Sequence, residues 1–147
     1  MADALDGDEL AACFALRRAS DRLKRVVARH LQVHALSEVQ FSVLATLYSA
    51  SHGRRMGDLA EALVVSKGGL TYQVAQLEDR GLVERVGAED DDRSVIARLT
   101  DVGTAVVEQA LPGHLAVVRE SFLDLLDDEE VRFLAEVLGR VAVGPPS

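Results

Sequence analysis

The chain has 147 residues, of which 48% are hydrophobic, and its formal net charge is −8. This length suits one domain or one compact two-part unit with an apolar core, and no apolar run reaches the roughly 18–20 residues that a membrane-spanning helix needs. The acidic N-terminus is unlike a secretory signal, and the only cysteine, Cys13, has no partner for an internal disulfide. We therefore expect a cytoplasmic protein with no membrane partner.

The charge is unevenly distributed along the chain. Residues 10–35 contain six basic side chains and one acidic side chain, whereas residues 101–147 contain nine acidic and three basic ones. The middle, residues 36–100, has seven basic and ten acidic side chains. Binding to nucleic acid would therefore depend on a few well-placed cations, because the sequence offers no broad positive field.

Helical periodicity dominates the first third of the chain. Apolar residues recur at three- and four-residue spacing from about Asp8 to His34, which predicts a first long helix. Ser37 is a suitable N-cap for a second helix, which should end near Ser51–Gly53.

Two short helices are predicted next, with only Val64 and Val65 between them. The first covers Met56 to Leu63. The second covers Ser66 to Arg80, with Ser66 as its cap and Gly81 as its stop. Two short helices joined by a tight turn are typical of a helix-turn-helix motif.

A β-hairpin and two more helices complete the predicted order. Apolar β-type segments flank a polar turn over Ala88–Ser94. A long helix is expected from Asp101 to Leu126, capped by Thr100 and kinked or broken at Pro112-Gly113. A last helix is expected from about Asp127 to Val143. The predicted fold class is mainly α with a small β-hairpin wing.

The segment from Ser66 to Gly103 resembles the MarR (multiple-antibiotic-resistance regulator) family of winged helix-turn-helix regulators. Three short motifs carry the resemblance in order and spacing: Ser-x-x-x-Leu-Thr, Leu-Glu-x-x-Gly-Leu-Val-x-Arg, and Asp-x-Arg-Ser followed by Leu-Thr-x-x-Gly. The helix order extends the likeness over nearly the whole chain.

The resemblance implies a homodimer that binds a palindromic operator in double-stranded DNA, usually as a repressor. It implies an N-terminal dimerisation helix over residues 1–36, a winged helix-turn-helix over 37–100 and C-terminal dimerisation helices over 101–147. It also implies that a small-molecule or redox signal often releases the DNA. For the small molecule we expect an apolar or aromatic acid, or none.

The spacing of apolar residues gives the predicted helix over Ser66 to Arg80, the second of the helix-turn-helix, two different faces. Leu70, Val74 and Leu77 should point inward, which turns the opposite face toward the major groove at roughly 100° per residue. Glutamines there could pair with adenine, Lys67 could reach guanine or a phosphate, and Gly68 would let the backbone approach closely. A basic residue often stands in the family where this chain has Tyr72. The expected DNA contacts are Arg54, Arg55, Ser66, Lys67, Gly68, Thr71, Tyr72, Gln73, Gln76, Asp91 and Arg93.

The predicted wing carries the cation best suited to a minor groove. Narrow minor grooves concentrate negative potential, so a single guanidinium such as that of Arg93 can read their width. By the family pattern, Asp91 is the acid that would hold this arginine. Arg54 and Arg55 could contact phosphates or could be surface charges that flank the hairpin.

Other readings of the sequence stay open. Cys13 resembles the sensing cysteine of the family's hydroperoxide-responsive branch, although a small core cysteine is the simpler reading. His30 and His34 share a helix face and could bind a metal, for which the fold would have to bring His114 or Glu38 close as a further ligand, and no cofactor is expected. No enzyme motif is recognisable. The alternative to a DNA-binding regulator is a winged-helix module that binds protein.

Overall fold

The computed structural model describes residues 4–146, apart from the side chains of Asp91 and Asp92. The elements in chain order are α1 (Gly7–Gln32), α2 (Glu38–Tyr48), β1 (Arg54–Arg55), α3 (Met56–Leu63), α4 (Lys67–Asp79), β2 (Val83–Ala88), β3 (Asp91–Leu99), α5 (Asp101–Ser121), a short 3-10 helix (Leu123–Leu125) and α6 (Asp128–Val143). The predicted fold class, mainly helical with a small hairpin wing, is confirmed.

The chain forms two compact units. One lies within Met1–Val27 and Leu115–Ser147, and we call it the terminal unit. The other is Ala28–His114, which we call the winged-helix unit. The boundaries predicted at residues 36 and 100 both fall inside the winged-helix unit. No helix within residues 4–146 combines the length and the apolar character that a membrane crossing requires.

The helix starts follow from local sequence. Ser37 caps α2 in a reciprocal capping box, in which its Oγ accepts from the Gln40 N–H and Gln40 Oε1 accepts from the Ser37 N–H. Ser66 caps α4, and its Oγ accepts from the Gly69 N–H at 3.0 Å. Both predicted caps are confirmed. Helix α2 ends at Tyr48, slightly earlier than predicted, because Ser49 already closes it.

The predicted helix-turn-helix consists of α3 and α4. Helix α3 ends on Val64, which adopts a left-handed conformation with φ of 54° and so turns the chain sharply. Leu70, Val74 and Leu77 are buried in α4, as their spacing predicts. This inward face fixes the rotation of α4 and therefore determines which of its residues face solvent.

The wing differs from the predicted polar turn over Ala88–Ser94. Only Glu89 and Asp90 lie between the strands, and β3 begins at Asp91. The long-turn prediction is therefore wrong. The ladder continues through Val86↔Ile96 and Gly87↔Val95 and then passes a register irregularity, so backbone pairing includes residues whose composition suggested a loop.

A third strand, β1, was not predicted. It is only two residues long and pairs antiparallel with Ala97 and Ile96 of β3, which gives the strand order β1-β3-β2. Gly53 precedes it with φ of +81°, and a Cβ there would lie 2.5 Å from the Ala97 carbonyl oxygen. Glycine suits this position, because the left-handed φ and the close approach to β3 both disfavour a Cβ.

The C-terminal helices also depart in part from prediction. Thr100 caps α5 as expected, with its Oγ1 accepting from the Gly103 N–H. Helix α5 continues through Pro112 to Ser121. Of the kink or break expected at Pro112-Gly113, the break is therefore wrong, and the end predicted at Leu126 is wrong as well. Asp127 caps α6 through a capping box with Glu130.

Candidate nucleic-acid interface

Helix α4 presents a polar face opposite its buried stripe. Lys67, Gly68, Thr71 and Tyr72 are all exposed, and Tyr72 is the most prominent large side chain, with 61% of its surface accessible. The Thr71 hydroxyl donates to the Lys67 carbonyl oxygen at 2.8 Å, so it is partly used within the helix. Four of the predicted contacts therefore share one solvent-facing surface.

The two glutamines of α4 are less available than the helical phase suggested. Gln73 and Gln76 are half-buried. Within the described residues the Gln73 Oε1 atom is buried and has no hydrogen-bond partner. Gln76 accepts a hydrogen bond from Gln40 Nε2 at 3.3 Å and donates one to Tyr72 Oη at 2.7 Å. Direct pairing of Gln76 with a base would require these two bonds to break.

A basic cleft of about 320 Å³ lies beside α4 in the winged-helix unit. Arginines from three different strands line it, namely Arg55 of β1, Arg85 of β2 and Arg93 of β3. The rest of its wall is formed by the first turn of α3, by Thr71 and by Ser94 and Val95. This cleft is suited to an anion, because it brings three guanidinium groups to the place where wing and α4 meet.

Carboxylates hold Arg55 and Arg85. Arg55 Nη2 contacts both carboxylate oxygens of Asp90, at 2.7 and 2.8 Å, which ties β1 to the tip of the hairpin. Glu78 accepts from the Arg85 backbone N–H and from its Nε and Nη2. The hydrogen bonds from Arg85 hold the pKa of the Glu78 carboxyl below its usual range. Glu78 therefore orients the Arg85 guanidinium through its Nε and Nη2 atoms.

The other predicted contacts lie around this surface. Arg54 is exposed at the edge strand β1, and Arg93 is exposed on β3 near the hairpin tip. The Ser66 Oγ atom is engaged in capping α4. The side chain of Asp91, the expected partner of Arg93, lies outside the described residues.

Sequence reasoning assigned no role to Arg85 or Gln40. Arg85 belongs to the Leu-Val-x-Arg motif that carried the resemblance, and its place on β2 beside Glu78 of α4 could have drawn attention to it. Gln40 gave no such indication. It is 9% exposed, and its contact with α4 joins residues 36 positions apart.

The candidate sensing residues lie elsewhere. His30 Nε2 lies 3.1 Å from the Ala110 carbonyl oxygen, and the rings of His30 and His34 are 5.2 Å apart. No group of three possible metal ligands occurs among the residues that the structure describes, so the histidine pair gains no third ligand. Cys13 is exposed on α1, which does not agree with the reading of a buried core cysteine.

Comparison with known proteins gives consistent matches. The sequence model of the MarR family matches residues 34–94. The chain is 30% identical to the HTH-type transcriptional regulator PecS of Dickeya dadantii, over 93% of this chain and 83% of that protein.

Two solved structures from Streptomyces coelicolor are similar along almost their whole length. Sco3205, a MarR family transcriptional regulator in complex with DNA, is 31% identical with a TM-score of 0.94, covering 100% of this chain and 94% of that one. AbsC, a MarR family transcriptional regulator, is 32% identical with a TM-score of 0.91, covering 95% of both chains.

Proposed function

We propose that this chain, which belongs to the MarR family of transcriptional regulators, is a sequence-specific DNA-binding repressor with α4 in the major groove and the β2–β3 wing at the minor groove. The observation that carries the proposal is the juxtaposition of the exposed α4 face with the basic cleft in one compact unit. A helix that enters a groove needs flanking cations to fix its register on the phosphates, and the cleft supplies them.

The proposed contacts fall into three groups, which touch base edges, phosphates and the minor groove. Exposed residues of α4 face base edges: Lys67 and Thr71 reach acceptors or methyl groups, and Gly68 allows close approach. The half-buried Gln73 lies at the flank of this face. Arg54, Arg55 and the helix start at Ser66 contact phosphates. Arg93 reads the width of the minor groove, and Asp91 is the acid that would hold it by the family pattern.

Two copies of the chain form the working protein, and their symmetry accounts for a palindromic operator. The terminal unit supports this proposal because it exposes large apolar side chains, including Phe14 at 59%, Phe133 at 65% and Leu125 at 71%. A groove of about 690 Å³ in the same unit is lined mainly by leucines, among them Leu16, Leu23 and Leu138. Burial of such a surface against a second copy removes it from water. The helices within 1–36 and 101–147 would then form the dimer, and 37–100 would bind DNA.

A small apolar or aromatic acid is the first candidate for the signal that controls DNA binding. Oxidation of Cys13 is the second candidate, supported by its exposure on α1 and by Arg17 one helical turn away.

The test is fluorescence anisotropy of the purified protein on the intergenic DNA beside its own gene, with scrambled DNA of equal length as the control, across a salt series. A specific regulator binds the first DNA tightly and the second weakly, and its log affinity falls linearly with log salt. Absence of binding at low salt to either DNA would overturn the proposal and favour the alternative of a protein-binding winged helix.

A further inference from the structure

A chain of hydrogen bonds runs from the start of α2 to the exposed face of α4. The Ser37 N–H donates to Gln40 Oε1 at 3.1 Å, Gln40 Nε2 donates to Gln76 Oε1 at 3.3 Å, and Gln76 Nε2 donates to Tyr72 Oη at 2.7 Å. The chain therefore links a side chain that is 9% exposed, Gln40, to one that is 61% exposed, Tyr72.

The direction of this chain is fixed at its buried end. A backbone N–H can only donate, so the Gln40 amide must turn its oxygen toward Ser37 and its nitrogen toward Gln76. The same logic turns the Gln76 oxygen toward Gln40 and its nitrogen toward Tyr72. The Tyr72 oxygen is thereby made an acceptor on its protein side, and its single proton points away from Gln76.

We propose that Tyr72 reads a hydrogen-bond acceptor on a base edge in the major groove, and that Gln40 and Gln76 are positioning residues that fix its hydroxyl as the donor. This inference rests on the proposed function. In the major groove guanine offers two neighbouring acceptors, N7 and O6, whereas cytosine offers only an amino donor. We therefore expect guanine to be preferred over cytosine at one position of each half-site, by about two- to ten-fold for a single neutral hydrogen bond.

A single substitution at Gln40 should reverse the donor–acceptor direction of the hydrogen bonds that lead to Tyr72. Gln40 is the third residue of α2, where a glutamate suits both the capping box and the positive end of the helix. In Gln40→Glu the ionised carboxylate still accepts from the Ser37 N–H but cannot donate to Gln76. The Gln76 amide must then turn over, its oxygen faces Tyr72, and the tyrosine donates inward and offers lone pairs to DNA.

A second variant, at Gln76, also makes the Tyr72 hydroxyl donate toward the protein. In Gln76→Glu the carboxylate accepts both from Gln40 Nε2 and from the Tyr72 hydroxyl. Its half-buried position makes unfolding a smaller concern than at Gln40. The added charge should lower affinity for every sequence, but a base preference is a ratio of affinities and stays measurable.

The experiment is in vitro selection from a random duplex library at pH 8, with the full-length wild type, Tyr72→Phe, Gln40→Glu and Gln76→Glu. Gln109→Glu is the matched control, since it adds the same charge at an exposed position of α5 in the same unit. We expect Tyr72→Phe to lose the guanine preference at one symmetric pair of positions. Both reversing variants should instead favour a base with an amino donor there, and the control should select the wild-type site.

Several outcomes would overturn the inference. One is an unchanged selected site for Tyr72→Phe. Another is an equal loss of affinity for all sequences in that variant, which would mean that Tyr72 contacts a phosphate. A third is that both reversing variants select the same site as Gln109→Glu. If wild-type protein enriches no sequence, the proposed function itself fails, and this inference fails with it.

Discussion

The ion pair between Glu78 and Arg85 allows a direct test of how an acidic chain holds DNA. We consider the double variant Glu78→Gln/Arg85→Gln, which removes both charges and leaves the net charge of −8 unchanged. The matched control is Glu84→Gln/Arg98→Gln. Glu84 and Arg98 also form an ion pair and stand opposite each other in the same hairpin, while Arg85 is opposite Ala97. Since side chains alternate along a strand, the two pairs lie on opposite faces of the sheet.

The expected magnitude follows from counterion release. Each phosphate contact contributes about 0.9 to the slope of log affinity against log salt, so loss of one contact per protomer should reduce the slope of a dimer by roughly 1.8. Between 50 and 200 mM salt, this difference changes the ratio of wild-type to variant affinity by roughly twelve-fold. The control pair lies outside the basic cleft and should keep the wild-type slope.

The assay is fluorescence anisotropy on one duplex at four or more salt concentrations, with thermal melting to confirm that both variants fold. An exposed ion pair contributes at most about 1 kcal/mol to stability, so both should remain folded. If the two double variants have the same slope, the cleft does not hold a phosphate. A slope reduced only in the control would place the DNA on the other face of the wing.

Four further predictions concern the fold and the same surfaces. Leu70→Ala should lower the free energy of unfolding in urea by about 2–5 kcal/mol, because Leu70 is 1% exposed, whereas exposed Thr71→Ala should change it by less than about 0.5 kcal/mol. Arg93→Ala should weaken binding to the selected duplex by about 1–3 kcal/mol in anisotropy without lowering the melting temperature, and unchanged affinity would remove the wing from the interface. Phe133→Glu should shift the protein toward monomer in analytical ultracentrifugation, whereas exposed Glu120→Gln should not. Burial and the charge of His30 lower the pKa of His114, so the unfolded chain takes up the proton first as the pH falls. The stability of the fold should therefore decrease as the pH drops below about 6.5. In thermal melts at several pH values, His114→Gln should flatten this dependence, whereas exposed His52→Gln should not.

The sequence was most informative where structure depends on neighbours along the chain. Ser37 and Ser66 cap helices through residues three positions away, and the three-four spacing of Leu70, Val74 and Leu77 alone defines the buried face of α4. Such features require no knowledge of distant contacts. This explains why the helix-turn-helix and most of its exposed face could be predicted from the sequence.

The predictions from sequence were wrong where pairing with a distant strand, or the continuity of a helix, determines a structure that local composition does not favour. Arg54 and Arg55 have no strand pattern of their own, and they form β1 only because Ala97 and Ile96 offer a free edge. The charged run after Ala88 resembles a loop in composition, but its backbone continues the β ladder. At Pro112 one backbone hydrogen bond is lost, yet the turns on either side keep α5 continuous through the proline.

In the candidate site too, features set by neighbours along the sequence could be predicted, and features set by distant contacts could not. Tyr72 was visible as an exposed residue of α4, but the roles of Gln40 and Gln76 depend on a contact between helices that periodicity does not encode. The amphipathic pattern placed Gln76 outward, and its two hydrogen bonds hold it half-buried. Residues that position a contact are therefore harder to find from sequence than residues that make it.

The placement of charge indicates that different residues determine how strongly the protein binds any DNA and how well it distinguishes one sequence from another. Carboxylates hold Arg55 and Arg85 in the cleft, so each of these two gives less to non-specific attraction than an unpaired cation would. The same carboxylates fix the direction of the guanidinium groups, as the Ser37–Gln40–Gln76 chain fixes the Tyr72 hydroxyl. With a net charge of −8, weak attraction to arbitrary DNA leaves directional hydrogen bonds to decide which duplex is bound. Loss of the Tyr72 hydroxyl should therefore change the ratio of operator to scrambled-DNA affinity more than loss of the Arg85 charge does, although the latter should change the salt dependence more.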